Sequence, residues 1–157
     1  MAYEVTFETV AACRMAAVAA AARQAELPRV IPASLGKVHA VLRAGDHGPP
    51  GCNVVLYQPG ADGGRAMDLR IGVRLSRPFA GEGDVQASET PAGDVAHVVY
   101  WGRYSEMHPA HQAAQTGAMR EGHRLTGVSW EVYGDWADDP AKLRTDIYYQ
   151  LEGDARG

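Results

Sequence analysis

A chain of 157 residues that is 46% apolar and 22% charged is expected to fold as one domain. Its net charge of -4 and the absence of any run of Lys and Arg argue against nucleic-acid binding and against a membrane-surface role. Two cysteines, Cys13 and Cys52, cannot form a disulfide framework, which predicts reduced thiols in the cytoplasm. The apolar run at 15–22 follows Glu4 and Glu8 rather than cationic residues, so we do not expect a signal peptide.

The first half of the chain begins with apolar alternation that predicts a strand over residues 3–10. The Ala-rich segment 14–26 has high helix propensity, and the residues alone leave helix and strand both open. After Pro28, apolar residues at helical spacing predict a helix over about 28–44. Three further elements are predicted in this half: a strand at 53–57, a Gly-rich loop at 60–64 and a longer strand at 67–79.

The second half repeats this order of elements. Residues 80–92 are polar and contain two Gly and one Pro, which predicts a linker. The predicted elements after it are a strand at 94–101, a helix at 106–122, and strands at 128–133 and 143–151. Two copies of a strand–helix–strand–strand unit therefore fit the chain, which indicates internal pseudo-symmetry.

Glu131 lies at the centre of the penultimate predicted strand. Alternation places it on one face with Ser129 and Tyr133, and places Trp130 on the other face, as a core residue. A carboxylate flanked by aromatic residues in a strand is costly unless it meets water, a partner or a ligand. By the repeat pattern, Val55 takes the equivalent position in the first copy, so the carboxylate is present in one half only.

Several segments resemble the GyrI-like (gyrase-inhibitor-like, AraC-type effector-binding) small-molecule-binding domains. The resemblance covers nearly the whole chain and is most specific in its tail, a strand Glu followed by a Leu-Arg-Thr-Asp-Ile-Tyr strand. The segments that carry it are 25–28, 72–73, Pro91-Ala92-Gly93-Asp94-Val95-Ala96, Trp101-Gly102-Arg103-Tyr104, Gly127-Val128-Ser129-Trp130-Glu131-Val132-Tyr133 and Leu143-Arg144-Thr145-Asp146-Ile147-Tyr148.

The resemblance implies an α+β fold, in which two pseudo-symmetric modules form an antiparallel sheet with helices on one face and a central ligand cleft. It places the Ala-rich segment in the first long strand. We expect a single domain over residues 1–157, with modules at about 3–79 and 93–152. No segment is left for a helix-turn-helix, which predicts a stand-alone domain. The family commonly has Gly-Pro-Tyr after the strand that opens each module, whereas this chain has Gly102-Arg103-Tyr104 in the second and no equivalent in the first.

The resemblance also implies that Glu131 faces the ligand within an aromatic-lined site. The alternative is a structural ion pair between Glu131 and Arg144 or Arg70. Aromatic rings supply apolar contact area and attract cations, although each could equally be plain core. The aromatic ligand-binding candidates are Trp101, Tyr133, Tyr148, Tyr57 as their first-module counterpart, and Trp136 as a cap from a loop.

Other motifs for a metal, a cofactor or a nucleophile are weak. His108 and His111 are three residues apart near a helix start, but no third ligand follows at suitable spacing, so we expect solvated side chains and no metal. The loop at 60–64 lacks the ending of a phosphate-binding loop, and no nucleophile elbow is present, so no cofactor is predicted. Arg144 and Asp146 are expected to form a surface ion pair.

Three functions are consistent with these features. The first is binding of hydrophobic, aromatic or cationic small molecules, for sequestration or sensing of a drug or natural product. The second is a hydrolase that opens strained cyclopropane rings of genotoxic natural products, with Glu131 activating water and Tyr148 as a further catalytic candidate. The third is a protein partner, such as gyrase, bound by an interaction module.

Overall fold

The computed structural model describes residues 3–60 and 66–153, so residues 61–64 of the predicted Gly-rich loop lie outside the described residues. Two compact units are present: Ala12–Thr90, here called the first unit, and residues 3–11 with 91–153, called the second unit. Each unit is an antiparallel sheet with one α-helix packed against it, which confirms the α+β class. No helix within the described ranges is both long and apolar enough to cross a membrane.

The elements follow the predicted order closely. Within the described residues they are β1 (Thr6–Val10), β2 (Cys13–Ala22), α1 (Leu27–Ala44), β3 (Asn53–Pro59), β4 (Met67–Arg74), β5 (Val85–Thr90), β6 (Gly93–Trp101), α2 (His108–Arg120), β7 (Leu125–Tyr133) and β8 (Arg144–Leu151). Both helices have a proline in their first turn, where the missing N–H would have no partner within the helix.

The first unit has the strand order β5-β2-β4-β3, with α1 against β2 and β4. The Ala-rich segment is strand β2, as the resemblance implied. It is bonded on both sides, to β4 and to β5, and Ala16 and Val18 are buried beneath Val38 of α1. Pairing on both edges and burial under a helix outweigh the helix propensity of alanine, which is a weak local preference.

Two predicted boundaries in the first unit are wrong. Strand β4 ends at Arg74 rather than at residue 79, and the chain then bends at Ser76 and Arg77, directly before Pro78, which could not donate to a strand pairing. Residues 85–90, predicted as part of a linker, form strand β5 at the edge of this unit's sheet. Only Val85 and Thr90 of this strand are buried. Its residues are otherwise mostly polar and exposed, so the apolar alternation that predicts a strand is absent from its sequence.

The second unit has the strand order β1-β6-β8-β7, with α2 against β6 and β8. The N-terminal strand β1 pairs with β6, so it belongs to this unit and not to the first module, where the sequence interpretation placed it. The core between α2 and the sheet contains the following buried residues: Val98, Tyr100, Met107, Ala110, Ala114 and Ile147. Alanines on α2 let the helix lie close to the sheet.

The two units share one topology, which agrees with the predicted internal repeat. In the first, a row of paired residues runs Val18–Ile71–Val55 across β2, β4 and β3. In the second, the matching row runs Val98–Ile147–Glu131 across β6, β8 and β7. The register therefore places Val55 and Glu131 at equivalent positions, one apolar and one acidic.

Candidate functional site

Glu131 is a buried acidic residue on the side of β7 that faces α2. Only 4% of its surface is exposed, and its contacts with α2 show that it points towards the helix. Trp130, its neighbour in the strand, lies on the opposite face and is buried, as predicted. A carboxylate this deeply buried needs hydrogen-bond donors, because an unsatisfied charge in a protein interior is strongly destabilising.

Both carboxylate oxygens of Glu131 have donors. Oε2 lies 2.6 Å from Nε2 of His111 on α2. Oε1 accepts a hydrogen bond from the hydroxyl of Tyr133, two residues further along β7. Tyr133 in turn packs edge-to-face against Tyr104, with ring centroids 5.3 Å apart, and Tyr104 is 39% exposed. An aromatic pair therefore connects the buried carboxylate to the surface of the second unit.

Tyr149 on β8 extends this cluster. Its hydroxyl oxygen lies 2.7 Å from Nδ1 of His111 and accepts a hydrogen bond from Nε2 of Gln115 at 3.4 Å. Burial, reinforced by the negative charge of Glu131, raises the pKa of Tyr149 to about 12. The phenol is therefore protonated at neutral pH.

The histidine in this cluster was missed by sequence reasoning. His111 was predicted to be solvated, which is wrong: its side chain is 19% exposed and contacts Glu131 and Tyr149. His108 is exposed, as predicted. A usable signal was present in the spacing of His111 and Gln115, four residues apart on one helix face.

The two arginines considered as partners of Glu131 have other contacts. Arg144 binds Asp146, with Nε 2.7 Å from Oδ1, as expected for the ion pair at the start of β8. Arg70 donates to the backbone oxygen of Leu69. The described nitrogen partner of Glu131 is the imidazole of His111.

Two predicted aromatic residues lie on the face of the sheet away from Glu131. Tyr148 stacks on Trp130 and on His97, with ring centroids 5.4 and 4.4 Å apart. Trp101 is 56% exposed and has the Arg144 guanidinium 5.8 Å from its ring centroid. The structure thus separates Tyr148 and Trp101 from Glu131, whereas it brings Tyr133 into contact with it.

The two remaining candidates lie elsewhere. Tyr57 is half-buried on β3 of the first unit. It shares the α1-facing side of its strand with Asn53, whose Oδ1 is 2.8 Å from Nε2 of His39 on α1. Trp136 follows β7 and is 72% exposed.

Within residues 3–60 and 66–153, no group of three or more His, Cys, Asp or Glu side chains could hold a metal ion. A shallow concavity of about 570 Å³ lies in the first unit. Its lining residues are Ala12, Cys13, Arg14, Pro49, Gly51, Arg74, Leu75, Ser76 and Glu89, none of which was predicted as a site residue.

A second histidine cluster lies on the other face of the second unit's sheet. His97 on β6 has Nδ1 2.5 Å from Glu8 of β1 and Nε2 3.1 Å from Asp146 of β8. A hydrogen bond to Asp146, supported by Glu8, raises the pKa of His97 against the effect of burial. Burial would raise the pKa of Asp146, but hydrogen bonds from His97 and Arg144 lower it to about 2. The pKa of Glu8 is also lowered, by hydrogen bonds from Thr6 and His97.

This His97 cluster predicts a two-sided pH dependence of stability. Above pH 6.5 the folded protein keeps the His97 proton that the unfolded chain has lost, so the free energy of unfolding falls as pH rises through the raised pKa. As pH is lowered, the free energy of unfolding also falls, because Glu8 and Asp146 become protonated and lose these hydrogen bonds. We expect the alkaline loss to be on the order of 1 kcal/mol, because Glu8 is partly exposed. Urea unfolding from pH 5 to pH 9 measures it.

The control for this prediction is a histidine without such partners. His97→Gln should flatten the alkaline decline, whereas His108→Gln, at an exposed position on α2, should leave it unchanged. An unchanged decline in His97→Gln would show that another group causes it.

Comparisons with known proteins show the fold. No protein-family model matches the sequence, and no curated protein does. Among solved structures, the EcmrR C-terminal domain matches with a TM-score of 0.77 at 19% identity, over 97% of this chain and 99% of that one. SAV2435 bound to tetraphenylphosphonium matches with a TM-score of 0.73 at 14% identity, over 96% and 94% of the two chains. A hydrolase from Listeria innocua matches at 0.59 and 11%, over 95% and 92%. The chain therefore shares the fold of these proteins, as the resemblance to GyrI-like domains implied.

Proposed function

We propose that the second unit binds hydrophobic organic cations and aromatic small molecules at Glu131. The observation that carries the proposal is the buried Glu131 carboxylate, held by donors on both oxygens and connected to the surface by Tyr133 and Tyr104. A negative charge in a low-dielectric setting attracts a cation much more strongly than it would in water. The faces of the two tyrosine rings would add cation–π and apolar contact.

The fold likeness supports the same ligand class. SAV2435, which shares this fold, is described in complex with tetraphenylphosphonium, a lipophilic cation. Tyr148 and Trp101 lie on the other face of the second unit's sheet, so a contribution from them would be to other parts of a ligand. Binding of this kind would serve to sequester or sense a drug or natural product.

Replacing Glu131 by glutamine tests the proposal, because the change removes the charge and keeps the shape. We expect tetraphenylphosphonium affinity, measured by calorimetry, to fall by about tenfold to a hundredfold, equivalent to roughly 1.4–2.7 kcal/mol. Glu152→Gln is the matched control, since Glu152 is an exposed residue of the same unit and the same net charge is lost. Equal affinities in the two variants, or no binding of cationic or neutral aromatic probes by the unaltered protein, would refute the proposal.

A hydrolase is the second candidate, favoured by the hydrogen-bonded Glu131, His111 and Tyr149 side chains. Glu131 would take a proton from water while the water oxygen bonds to a carbon of a strained cyclopropane ring. The electron pair of the breaking ring bond would pass to the other carbon, which then receives the proton that Glu131 took from water and so returns the carboxylate to its starting state. The same Glu131→Gln variant distinguishes the candidates: lost turnover of a spirocyclopropane substrate with retained binding would favour the enzyme.

A further inference from the structure

Polar side chains of α2 and the second unit's sheet form a continuous run of hydrogen bonds that ends on Glu131. Gln115 Nε2 donates to the Tyr149 hydroxyl oxygen, which lies 2.7 Å from His111 Nδ1. His111 Nε2 lies 2.6 Å from Glu131 Oε2, and Tyr133 donates to the other carboxylate oxygen. We call these five residues the Glu131 network.

One set of donors and acceptors satisfies this network with a neutral imidazole. The Tyr149 hydroxyl has one proton and retains it at neutral pH, because its pKa is raised to about 12. Its oxygen accepts from Gln115, and its proton can be donated to Nδ1 of His111. An imidazole that accepts at Nδ1 can be neutral only with its own proton on Nε2, and that proton then points at Glu131.

We propose that His111 is the positioning residue of Glu131: as a neutral imidazole protonated on Nε2, it donates to the carboxylate and holds it in one orientation, while Tyr149 donates to Nδ1. A neutral donor leaves the negative charge of the carboxylate uncompensated, so that it can attract a cationic ligand. A cationic His111 would have the opposite effect on ligands, because it would form an ion pair with Glu131 and compete with a bound cation. The consequence for ligand binding rests on the function proposed above, whereas the tautomer does not.

Nitrogen-15 NMR of the imidazole rings tests the tautomer without any ligand. At neutral pH we expect the His111 signals of an unprotonated Nδ1 and a protonated Nε2, assigned by their loss in His111→Gln. Tyr149→Phe removes the donor to Nδ1, so the Nδ1 signal should move towards that of a nitrogen without a hydrogen bond, while the proton stays on Nε2 opposite the Glu131 carboxylate. Two protonated nitrogens, a proton on Nδ1, or an unchanged Nδ1 signal in Tyr149→Phe would overturn the proposal.

Ligand binding gives the second test, with tetraphenylphosphonium as the probe. His111→Leu removes the donor to Glu131, and we expect affinity to fall by about tenfold, the effect of one lost hydrogen bond to a charged group. His111→Gln keeps an N–H donor at the end of its side chain, so it should stay within about threefold of the unaltered protein. Unchanged or higher affinity in His111→Leu would overturn the positioning role, and higher affinity would identify His111 as a competing cation.

The two tests separate failure of this inference from failure of the proposed function. If the unaltered protein binds no tetraphenylphosphonium, the proposed function fails, and the NMR experiment still decides the state of His111. Circular dichroism of each variant checks folding. If His111→Leu does not fold, the tautomer of the unaltered protein and the affinity of His111→Gln remain as tests, and a large loss of affinity in His111→Gln would count against the proposal.

Discussion

Replacing Gly72 by alanine should lower the free energy of unfolding by about 3 kcal/mol or more, or prevent folding. Gly72 lies in the middle of β4, between β2 and β3. A Cβ atom built there falls within 3.0 Å of backbone atoms of Ala16 and Ala17, a separation that real Cβ atoms essentially never show. The obstructing atoms belong to the backbone of a paired strand, so no side-chain rotation can relieve the contact.

Gly36 provides the matched control for this substitution. It lies inside α1, and a Cβ atom there meets nothing within 4 Å. Gly36→Ala should therefore stabilise the protein by about 0.5–1 kcal/mol, because alanine has the higher helix propensity. Urea unfolding followed by circular dichroism measures both variants. If Gly72→Ala were as stable as Gly36→Ala, the close approach of β2 and β4 described above would be wrong.

Sequence patterns predicted the elements whose own residues carry a strong periodic signal. The helix expected at 28–44 is observed at Leu27–Ala44, and the strand containing Glu131 alternates as expected. Strand β2 shows the limit of local reasoning, because its alanines favour a helix and only pairing with two neighbouring strands makes it a strand. The resemblance to a known family, rather than propensity, identified it correctly.

The contacts of the candidate site could be predicted only in part. Alternation along β7 placed Glu131 with Tyr133, two residues away in the same strand. The contact with His111 depends on how α2 packs against β6 and β8, and it joins residues 20 positions apart in the chain. No local pattern encodes that packing, so His111 resembled a surface histidine. The sequence interpretation also grouped Tyr148 with Glu131 as an aromatic candidate of the same site. Alternation along β8 instead puts Tyr148 on the face opposite Tyr149, away from Glu131.

The repeat explains why one acidic residue stands out. At Val55, the first unit has a fully buried apolar residue between apolar neighbours, which is the ordinary content of a sheet core. At the equivalent position, the second unit has Glu131, whose burial requires donors from His111 and Tyr133. Replacing an apolar core residue by a carboxylate lowers stability unless such donors are present. A costly group at only one of two equivalent positions is what the binding function proposed above would lead us to expect.

Trp130→Ala should be among the most destabilising single changes in the second unit, at about 3–5 kcal/mol. Trp130 is 2% exposed and is the largest of the fully buried side chains among the described residues. Its ring stacks on Tyr148, and Tyr148 stacks on His97, so alanine would leave a cavity beside two further rings. Trp136→Ala is the control, because Trp136 is 72% exposed and its loss should change stability by less than about 0.5 kcal/mol. Circular dichroism is the appropriate probe, since both variants remove a fluorophore.

The same residue separates stability from binding. Trp130→Phe keeps a ring in the stack and should fold, with a loss of stability smaller than that of Trp130→Ala. Because Trp130 lies on the sheet face opposite Glu131, this variant should bind tetraphenylphosphonium like the unaltered protein. Glu131→Gln should show the reverse pattern, with weakened binding as its main effect. If Trp130→Phe weakened binding as much as Glu131→Gln, the ligand would contact the other face of the sheet, and Glu131 would not be its site.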